Sequence, residues 1–402
     1  MVTLEDIKEA RKSLKGVVKR TELTHSNTFS NLTENQVYLK MENLQRTGSF
    51  KVRGAYNKIA NLSQEERTKG VVAASAGNHA QGVALASSSA GIESTIIMPK
   101  GAPIAKVKAT QGYGAKVILS GTTYDDAHTK EKEYAQRTGA TIIPAFNDPY
   151  IIAGQGTIGL EILEDLDDID VIIAPIGGGG LLAGIATAVK EVRSDIEVIG
   201  VEAENAASMK ESLRAGKPIG IKDANTIADG IAVKCPGSLN YPILEKYLDG
   251  LVTVNDEEIA HTILLLLERA KLMVEGAGAT ALAALLNGKL NFKGKKVGVV
   301  LSGGNIDLDM IAAIIDRGMI QAGRRLVFST HIDDTPGSLQ NLLGIIGRSG
   351  ANIVSVEHDR LNPDISLKEA EVRITLETRD EKHIEKVVGD IIEGGYSVTR
   401  VR

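Results

Sequence analysis

A single cysteine, Cys235, is all that this 402-residue chain carries, so no intrachain disulfide can form and a reducing, cytoplasmic compartment is the simplest expectation. Long apolar runs are also missing. Stretches such as 263–267 fall far short of the roughly 20 residues that a membrane-spanning helix needs. The first 16 residues mix Glu5, Asp6 and Glu9 with Lys8 and Arg11 at helical spacing, which excludes a secretion signal. The seven histidines are scattered, with no HExxH and no Cys/His cluster, so no zinc or other metal site is expected. Positive charge is not in excess: 46 Lys and Arg face 51 Asp and Glu, for a net charge of -5. This gives no electrostatic reason to bind nucleic acid or an acidic membrane. Small molecules, or copies of the chain itself, are the expected partners.

The chain is too long for one ordinary core, and two or three domains are expected. With 43% hydrophobic and 24% charged residues, it reads as globular. Apolar runs at 37–41, 71–74, 95–99, 115–119, 141–144, 171–176, 197–201 and 296–301 alternate with helical stretches near 79–90, 103–111 and 124–137, from 181 and from 256. That rhythm predicts an α/β class with two parallel or mixed sheets and a ligand cleft between them. Residues 318–325, with two glycines and two arginines, read as a linker. Beyond them the order becomes strand 326–332, helix 337–348, strand 351–357, strand 370–377, helix 381–392 and strand 395–401, a βαββαβ ferredoxin-like unit. No long-period repeat or low-complexity tract is present.

The chemistry centres on Thr47-Gly48-Ser49-Phe50-Lys51-Val52-Arg53-Gly54. Phe50 and Val52 are apolar neighbours of Lys51, and the turn before it delivers the amine to a helix start, where the dipole favours the uncharged form. A neutral, aimed lysine can condense with an aldehyde; the alternative is an ordinary solvated lysine. Ser75-Ala76-Gly77-Asn78-His79 joins a strand to a helix and offers amide N–H groups to a carboxylate, or else is a plain capped turn with His79 packed. Gly177-Gly178-Gly179-Gly180-Leu181 sits at another such junction, where backbone can approach a phosphate closely. A dinucleotide reading stays open there, because 178–183 fits a relaxed GxGxxA pattern and Glu202 falls where a ribose-binding acid would. A Walker A loop is excluded, since no Gly-Lys-Ser/Thr follows. Ser302, in 301–305, ends a third buried strand.

In this order, these residues resemble the serine/threonine dehydratases among fold-type II pyridoxal-phosphate enzymes, and within them the threonine dehydratase branch. The resemblance covers about 5–317 and rests on 42–54, 75–82, 148–161, 177–184, 274–279 and 302–307. It implies a lyase that eliminates the β-hydroxyl of threonine, and of serine, to give 2-oxobutanoate or pyruvate and ammonia. It further implies that Lys51 carries pyridoxal 5'-phosphate beside Phe50, that Asn78 meets the phenolic oxygen, that Gly177 to Leu181 hold the phosphate, and that Ser302 faces the pyridine nitrogen. The 75–79 loop would take the substrate carboxylate. Serine racemases, which are similar, place a second serine where this chain has Ala76, so racemisation should be weak. Some relatives bind a divalent cation through three positions that fall on Glu202, Ala206 and Ser208; the last is no acid here, so no metal is expected. A catalytic domain over 1–317 is implied, with a small subdomain about 46–147 inside a large one formed by about 1–45 and 148–317.

The C-terminal segment 326–402 resembles an ACT domain, a regulatory amino-acid-binding module. The turn from Asp334 to Leu339, including Pro336 and Gly337, and the Asn352-Ile353 strand start carry that likeness and mark an expected effector site. Isoleucine or valine is the expected effector, as in feedback on isoleucine synthesis, and a homotetramer or homodimer is the expected assembly. The rival readings are a nicotinamide-dependent oxidoreductase, a serine racemase-like activity, a purely sensory protein and a merely structural C-terminal unit.

Overall fold

The computed structural model describes residues 1–361 and 366–401. Residues 362–365 and 402, which fall within the expected 326–402 module, lie outside the described residues. The chain divides into two compact units, Met1–Ile306 and Asp307–Arg402.

The first unit holds strands β1 (Leu23–His25), β2 (Gln36–Lys40), β3 (Val71–Ala74), β4 (Ser94–Met98), β5 (Lys116–Leu119), β6 (Thr141–Ile142), β7 (Val171–Pro175), β8 (Glu197–Ala203), β9 (Gly250–Val254) and β10 (Lys296–Val300). They form a six-stranded sheet in the order β1-β2-β10-β7-β8-β9 and a four-stranded sheet in the order β5-β4-β3-β6. All pairs are parallel except β1 with β2. Strands β3, β4 and β7 are buried along their whole length, which is why they read as unbroken apolar runs without alternation. Helices Asn78–Ser89, Ile104–Gly112, Tyr124–Thr138 and Gly180–Val192 follow their strands as crossovers.

One helix dominates the packing without having been expected from the sequence. Pro149–Asp165 is started by the Asp148 carboxylate, which accepts the N–H groups of Tyr150 and Ile151, with Pro149 in the first turn. It lies against Lys51–Ala60 on one side and Gly180–Val192 on the other. Both contacts are backbone to backbone. A Cβ placed on Gly154 would fall 2.7 Å from the Gly54 Cα, and one on Gly184 would fall 2.3 Å from the Ile152 carbonyl and 2.9 Å from the Gly156 Cα. Any larger residue would force the helices apart.

Beside these contacts lies a buried cluster of four charges. Arg53, 0% exposed, donates to both carboxylate oxygens of Glu42 at 2.7 and 2.9 Å and to both of Glu161 at 2.6 and 2.9 Å. Lys40, also fully buried, lies 2.7 Å from Glu161 and donates to the Thr21 carbonyl at 2.7 Å. Lys40 ends β2, Glu42 opens the short 3-10 turn that follows it, Arg53 comes from the lysine-bearing helix and Glu161 from the Pro149–Asp165 helix, so the cluster ties β2 and its turn to two helices.

The second unit begins with helix Leu308–Gln321, which corrects the linker expected at 318–325. Gly318 lies inside an amphipathic turn and does not break it; only 322–324 form a turn before β11 (Arg325–Asp333). Helix Ser338–Ser349, β12 (Asn352–Asp359), β13 (Glu369–Glu377), helix Glu381–Glu393 and β14 (Thr399–Arg400) complete a βαββαβ order. The sheet is antiparallel, in the order β12-β13-β11-β14. β14 is shorter than the expected 395–401, because Gly394 and Gly395 close the preceding helix and Gly395 adopts φ 93, a left-handed turn.

Candidate active site

Three strand ends and one helix start converge in the first unit. The segment 47–51 is stitched to the turn after β10: Ser49 bridges Gly303, the Phe50 N–H donates to the Ser302 carbonyl at 3.2 Å, and the Gly304 N–H donates to the Gly48 carbonyl at 2.8 Å. Gly48 at φ 71 makes this approach possible, since a Cβ there would meet the Asn305 side chain. Lys51 therefore opens helix Lys51–Ala60 beside Ser302, whose side chain is buried. The Lys51 Nζ donates to the Ala145 carbonyl at 3.0 Å and lies 5.2 Å from the Phe50 ring centroid. Burial pushes the Lys51 amine down to about 8, with the Glu275 charge opposing the shift.

The next residue after Ala145 carries the link to the glycine loop. The Phe146 ring fills the place where any side chain on Gly178 would go, 2.4 Å from its Cβ position, and the Phe146 carbonyl would be 2.8 Å from a Cβ on Gly180. The Gly178 carbonyl accepts from the Asn240 side chain at 2.6 Å and from the Gly237 N–H at 3.0 Å. Gly179, at φ 93, then caps helix Gly180–Val192. The loop's carbonyl is thus engaged, while the N–H groups of Gly177, Gly178, Gly179 and Gly180 have no acceptor among the described residues. Leu181 lies in the first turn of that helix, where N–H groups have no intrahelical partner. Unpaired amides at a helix N-terminus suit a phosphate.

Asn78 opens helix Asn78–Ser89 and donates to the Glu275 Oε1 at 2.6 Å. Its own Oδ1 accepts from Asn305 at 2.7 Å. The Glu275 carboxyl is pushed up to about 7 by burial and by the nearby Asp229 charge, against the Asn78 hydrogen bond. Sequence reasoning assigned no role to Glu275 or Asn305, although both lie within family-like stretches; Ala145 contributes only a backbone carbonyl, for which no sequence signal exists.

The rest of the 75–79 loop is less engaged. The Ser75 hydroxyl accepts the Gly77 N–H at 3.2 Å, and Ala76 and Gly77 are half-buried. The His79 side chain is packed, as one of the two sequence readings has it: its Nε2 lies on the Ile143 carbonyl at 2.7 Å, and burial, reinforced by the Lys51 charge, pushes its imidazole down to about 3. His79 is a neutral packed residue, and only its backbone belongs to the loop.

Glu202 is engaged by the backbone of its own fold. Its carboxylate accepts the Met209 and Lys210 N–H groups at 2.8 and 2.9 Å, capping helix Ser208–Ala215. Ala206 lies in the short turn before that helix, and the Ser208 hydroxyl is buried without a partner. Among the described residues no group of three or more His, Cys, Asp or Glu gathers as a metal set. With Glu202 so engaged, the dinucleotide alternative loses its ribose acid.

In the second unit, the expected effector residues fall in two places: Asp334 to Leu339 form the β11-to-helix turn, whereas Asn352 and Ile353 start β12 at the opposite end of the sheet, level with Glu377 and Arg325. Asp334 pairs with Arg360 at 3.0 Å, Pro336 precedes Gly337 at φ 95, and Leu339 packs on the unit's core. Asn352 donates to Glu377 at 3.3 Å and Ile353 is half-buried on the same core.

Comparison with known proteins gives the site its chemistry. The family described as "Pyridoxal-phosphate dependent enzyme" matches residues 14–303. An L-threonine ammonia-lyase of Thermotoga maritima is 53% identical over 398 residues, covering 99% of each chain. A second L-threonine ammonia-lyase, from Geobacter sulfurreducens, is 47% identical and covers 98% of each. Among solved structures, the processed threonine deaminase isoform 2 from Solanum lycopersicum superposes with a TM-score of 0.75 at 37% identity, over 78% of this chain and 92% of its own. Maize serine racemase does so with a TM-score of 0.75 at 35% identity, over 80% and 98%. The residues fit the cofactor these relatives imply: an amine with lowered proton affinity for the aldehyde, unpaired glycine amides for the phosphate, the buried Ser302 next to the lysine segment, and an Asn78 amide held by Glu275 and Asn305. The lysine at the helix start, the glycine cradle and the match across 14–303 agree, and this chain belongs to the pyridoxal-phosphate dependent enzymes.

Proposed function

We propose that this enzyme converts L-threonine to 2-oxobutanoate and ammonia, and L-serine to pyruvate and ammonia. The observation that carries the reading is Lys51: a half-buried amine lowered to about 8, held at a helix N-terminus beside an unpaired glycine cradle. The likeness to L-threonine ammonia-lyases along nearly the whole chain narrows the substrate to a β-hydroxy amino acid.

Bound pyridoxal 5'-phosphate supplies the electron sink that weakens the substrate Cα–H bond. Gly177 to Leu181 would hold its phosphate, Asn78 its ring oxygen and Ser302 its ring nitrogen. The 75–79 backbone would hold the substrate carboxylate, so that the Lys51 Nζ meets the Cα proton. Near neutral pH a lowered lysine is partly uncharged, and that form takes the proton as general base. The Cα–H and Cβ–O bonds break, and the hydroxyl leaves as water, the proton that Lys51 took from Cα balancing the one the hydroxyl gains. Water returns to the released enamine-derived imine, liberating ammonia and the keto acid. Ala76 offers no proton acceptor on its side of the site, so elimination should prevail over racemisation.

The second unit, with its βαββαβ order and Asp334–Leu339 turn, is proposed to be an ACT-type module that binds isoleucine or valine. Feedback on a committed step toward isoleucine follows, in a homotetramer or homodimer within the cytoplasm. The test is an absorbance scan of the purified protein with 2-oxobutanoate assayed in the same cuvette, for wild type and Lys51→Ala, with and without isoleucine or valine. A yellow band that borohydride bleaches, with keto acid from wild type alone and lower rates with effector, is the expected result. Keto acid formed equally by Lys51→Ala refutes the catalytic reading, and rates indifferent to both amino acids refute the regulatory one.

A further inference from the structure

The Glu275 carboxylate reaches into the site, yet no step above uses it. Its surroundings leave it little freedom. Glu275 caps helix Gly276–Leu286, its N–H donates to the Gly303 carbonyl at 3.1 Å, and a Cβ on Gly303 would lie 2.3 Å from the Glu275 Oε1. Only glycine at 303 admits the carboxylate. The chain enters this stretch through Lys271 in a left-handed conformation at φ 59, directly after the π-helical turn Leu266–Ala270, a local irregularity of the kind found beside functional sites.

A chain of amides fixes what Glu275 touches. The Thr47 carbonyl can only accept, so the Asn305 group 2.7 Å from it is the Nδ2 donor. The second Nδ2 proton of Asn305 goes to the Asn78 Oδ1 at 2.7 Å, which turns the Asn78 Nδ2 onto the Glu275 Oε1 at 2.6 Å. The Asn305 backbone N–H also donates to the Glu275 carboxylate. One N–H of Asn78 remains for a ligand. We propose that Glu275 is a positioning residue: with Asn305 it locks the Asn78 amide so that this last N–H meets the cofactor's ring oxygen, and it supplies the negative charge that faces the Lys51 nitrogen. This rests on the cofactor chemistry proposed above and assigns it a further residue.

The other groups around Glu275 set its surroundings. Lys51 comes from helix Lys51–Ala60, Asp229 from the 229–231 turn, and Lys106 from helix Ile104–Gly112, with the Lys106 amine 3.7 Å from Asp229. Asp229 and burial favour the protonated acid, while Lys51, Lys106 and the two amide donors favour the anion.

The test uses holoenzyme and two readouts apart from turnover: the pH at which the bound cofactor's visible band changes, and the Kd for pyridoxal 5'-phosphate. Glu275→Gln keeps the shape and an acceptor for Asn78 but removes the charge. Its band should change at a pH lower by about one unit, because the nitrogen on Lys51 loses its anionic neighbour. Glu275→Asp should recover part of that shift. Asn305→Ala leaves the charge but unlocks Asn78; it should weaken cofactor binding about tenfold, with the transition unmoved. A merely structural role for Glu275 would lower the thermal midpoint without moving the transition, and that result overturns the proposal. So does a wild-type band that responds to neither variant. A wild-type protein with no cofactor band overturns the proposed function itself, and this inference with it.

Discussion

Replacing Arg53 by methionine should cost the first unit far more than an ordinary surface change. Arg53 and Lys40 balance Glu42 and Glu161, and three of the four are completely buried. Without Arg53, Lys40 still faces Glu161, but Glu42 keeps only the Thr21 hydroxyl as a close side-chain partner. An uncompensated buried carboxylate of this kind costs about 3–5 kcal/mol. The pH dependence gives the argument a second, independent edge. In the native protein burial pushes the Glu42 carboxyl up, yet Arg53 outweighs it and holds the group below its ordinary value. That lowered value contributes stability above the unfolded carboxyl range, and the contribution is lost as pH falls through the folded value. In Arg53→Met burial is opposed only by the Thr21 hydroxyl and the Lys40 charge, so the acid is raised and its penalty is relieved on acidification. The gap between the two proteins should therefore be widest near about pH 8 and narrow toward about pH 5. Urea unfolding followed by circular dichroism, fitted for the first unit's transition, measures it. Adding Glu42→Gln to Arg53→Met should recover part of the loss. A gap below about 1 kcal/mol at the higher pH, within the range of routine substitutions, or one that widens in acid, would refute the reasoning.

Two further outcomes follow from the site. Gly178→Ala places a methyl group 2.4 Å from the Phe146 ring, so the loop must retreat; the Kd for pyridoxal 5'-phosphate, followed by fluorescence, should rise at least about tenfold, the equivalent of a strained contact of about 1–3 kcal/mol. The rate at which cofactor-free protein condenses with pyridoxal 5'-phosphate should climb with pH and level off above about 8, because burial has already lowered the Lys51 amine to that value. A rate still rising toward pH 10.5, the amine's ordinary value, would mean that Lys51 is solvated.

What the sequence made legible was the inner framework of the ligand cleft. Strands β3, β7 and β10 are apolar because they are buried, and the glycine-rich turns after them are conspicuous because main chain packs closely there. Strands β1 and β9 went unread for opposite reasons: β1 has three residues, and β9 is half-buried at a sheet edge, where neither a continuous run nor a clean alternation develops. Helix Pro149–Asp165 was hidden by its own Gly154, Gly156 and Gly159, which read as loop residues until the neighbouring backbones that require them are seen. Gly318 misled in the same way, suggesting a linker where a helix runs on. In the site, Lys51, Asn78 and Ser302 were visible as residue types in context. The Glu275–Asn78–Asn305 chain was not, because it joins residues 197 and 227 positions apart through side-chain amides that leave no periodic trace.

The glycine contacts between helices carry a consequence for tolerance. Lys51–Ala60 rests on Pro149–Asp165, and Pro149–Asp165 rests on Gly180–Val192, each time with main chain against main chain. The gauge between the amine and the glycine loop is thereby set by peptide units, which have one size, and not by side chains, which have rotamers. Thermal breathing or repacking of the apolar layers elsewhere can change their thickness without changing this spacing. The enzyme can drift in composition around its chemistry while the span across it stays calibrated.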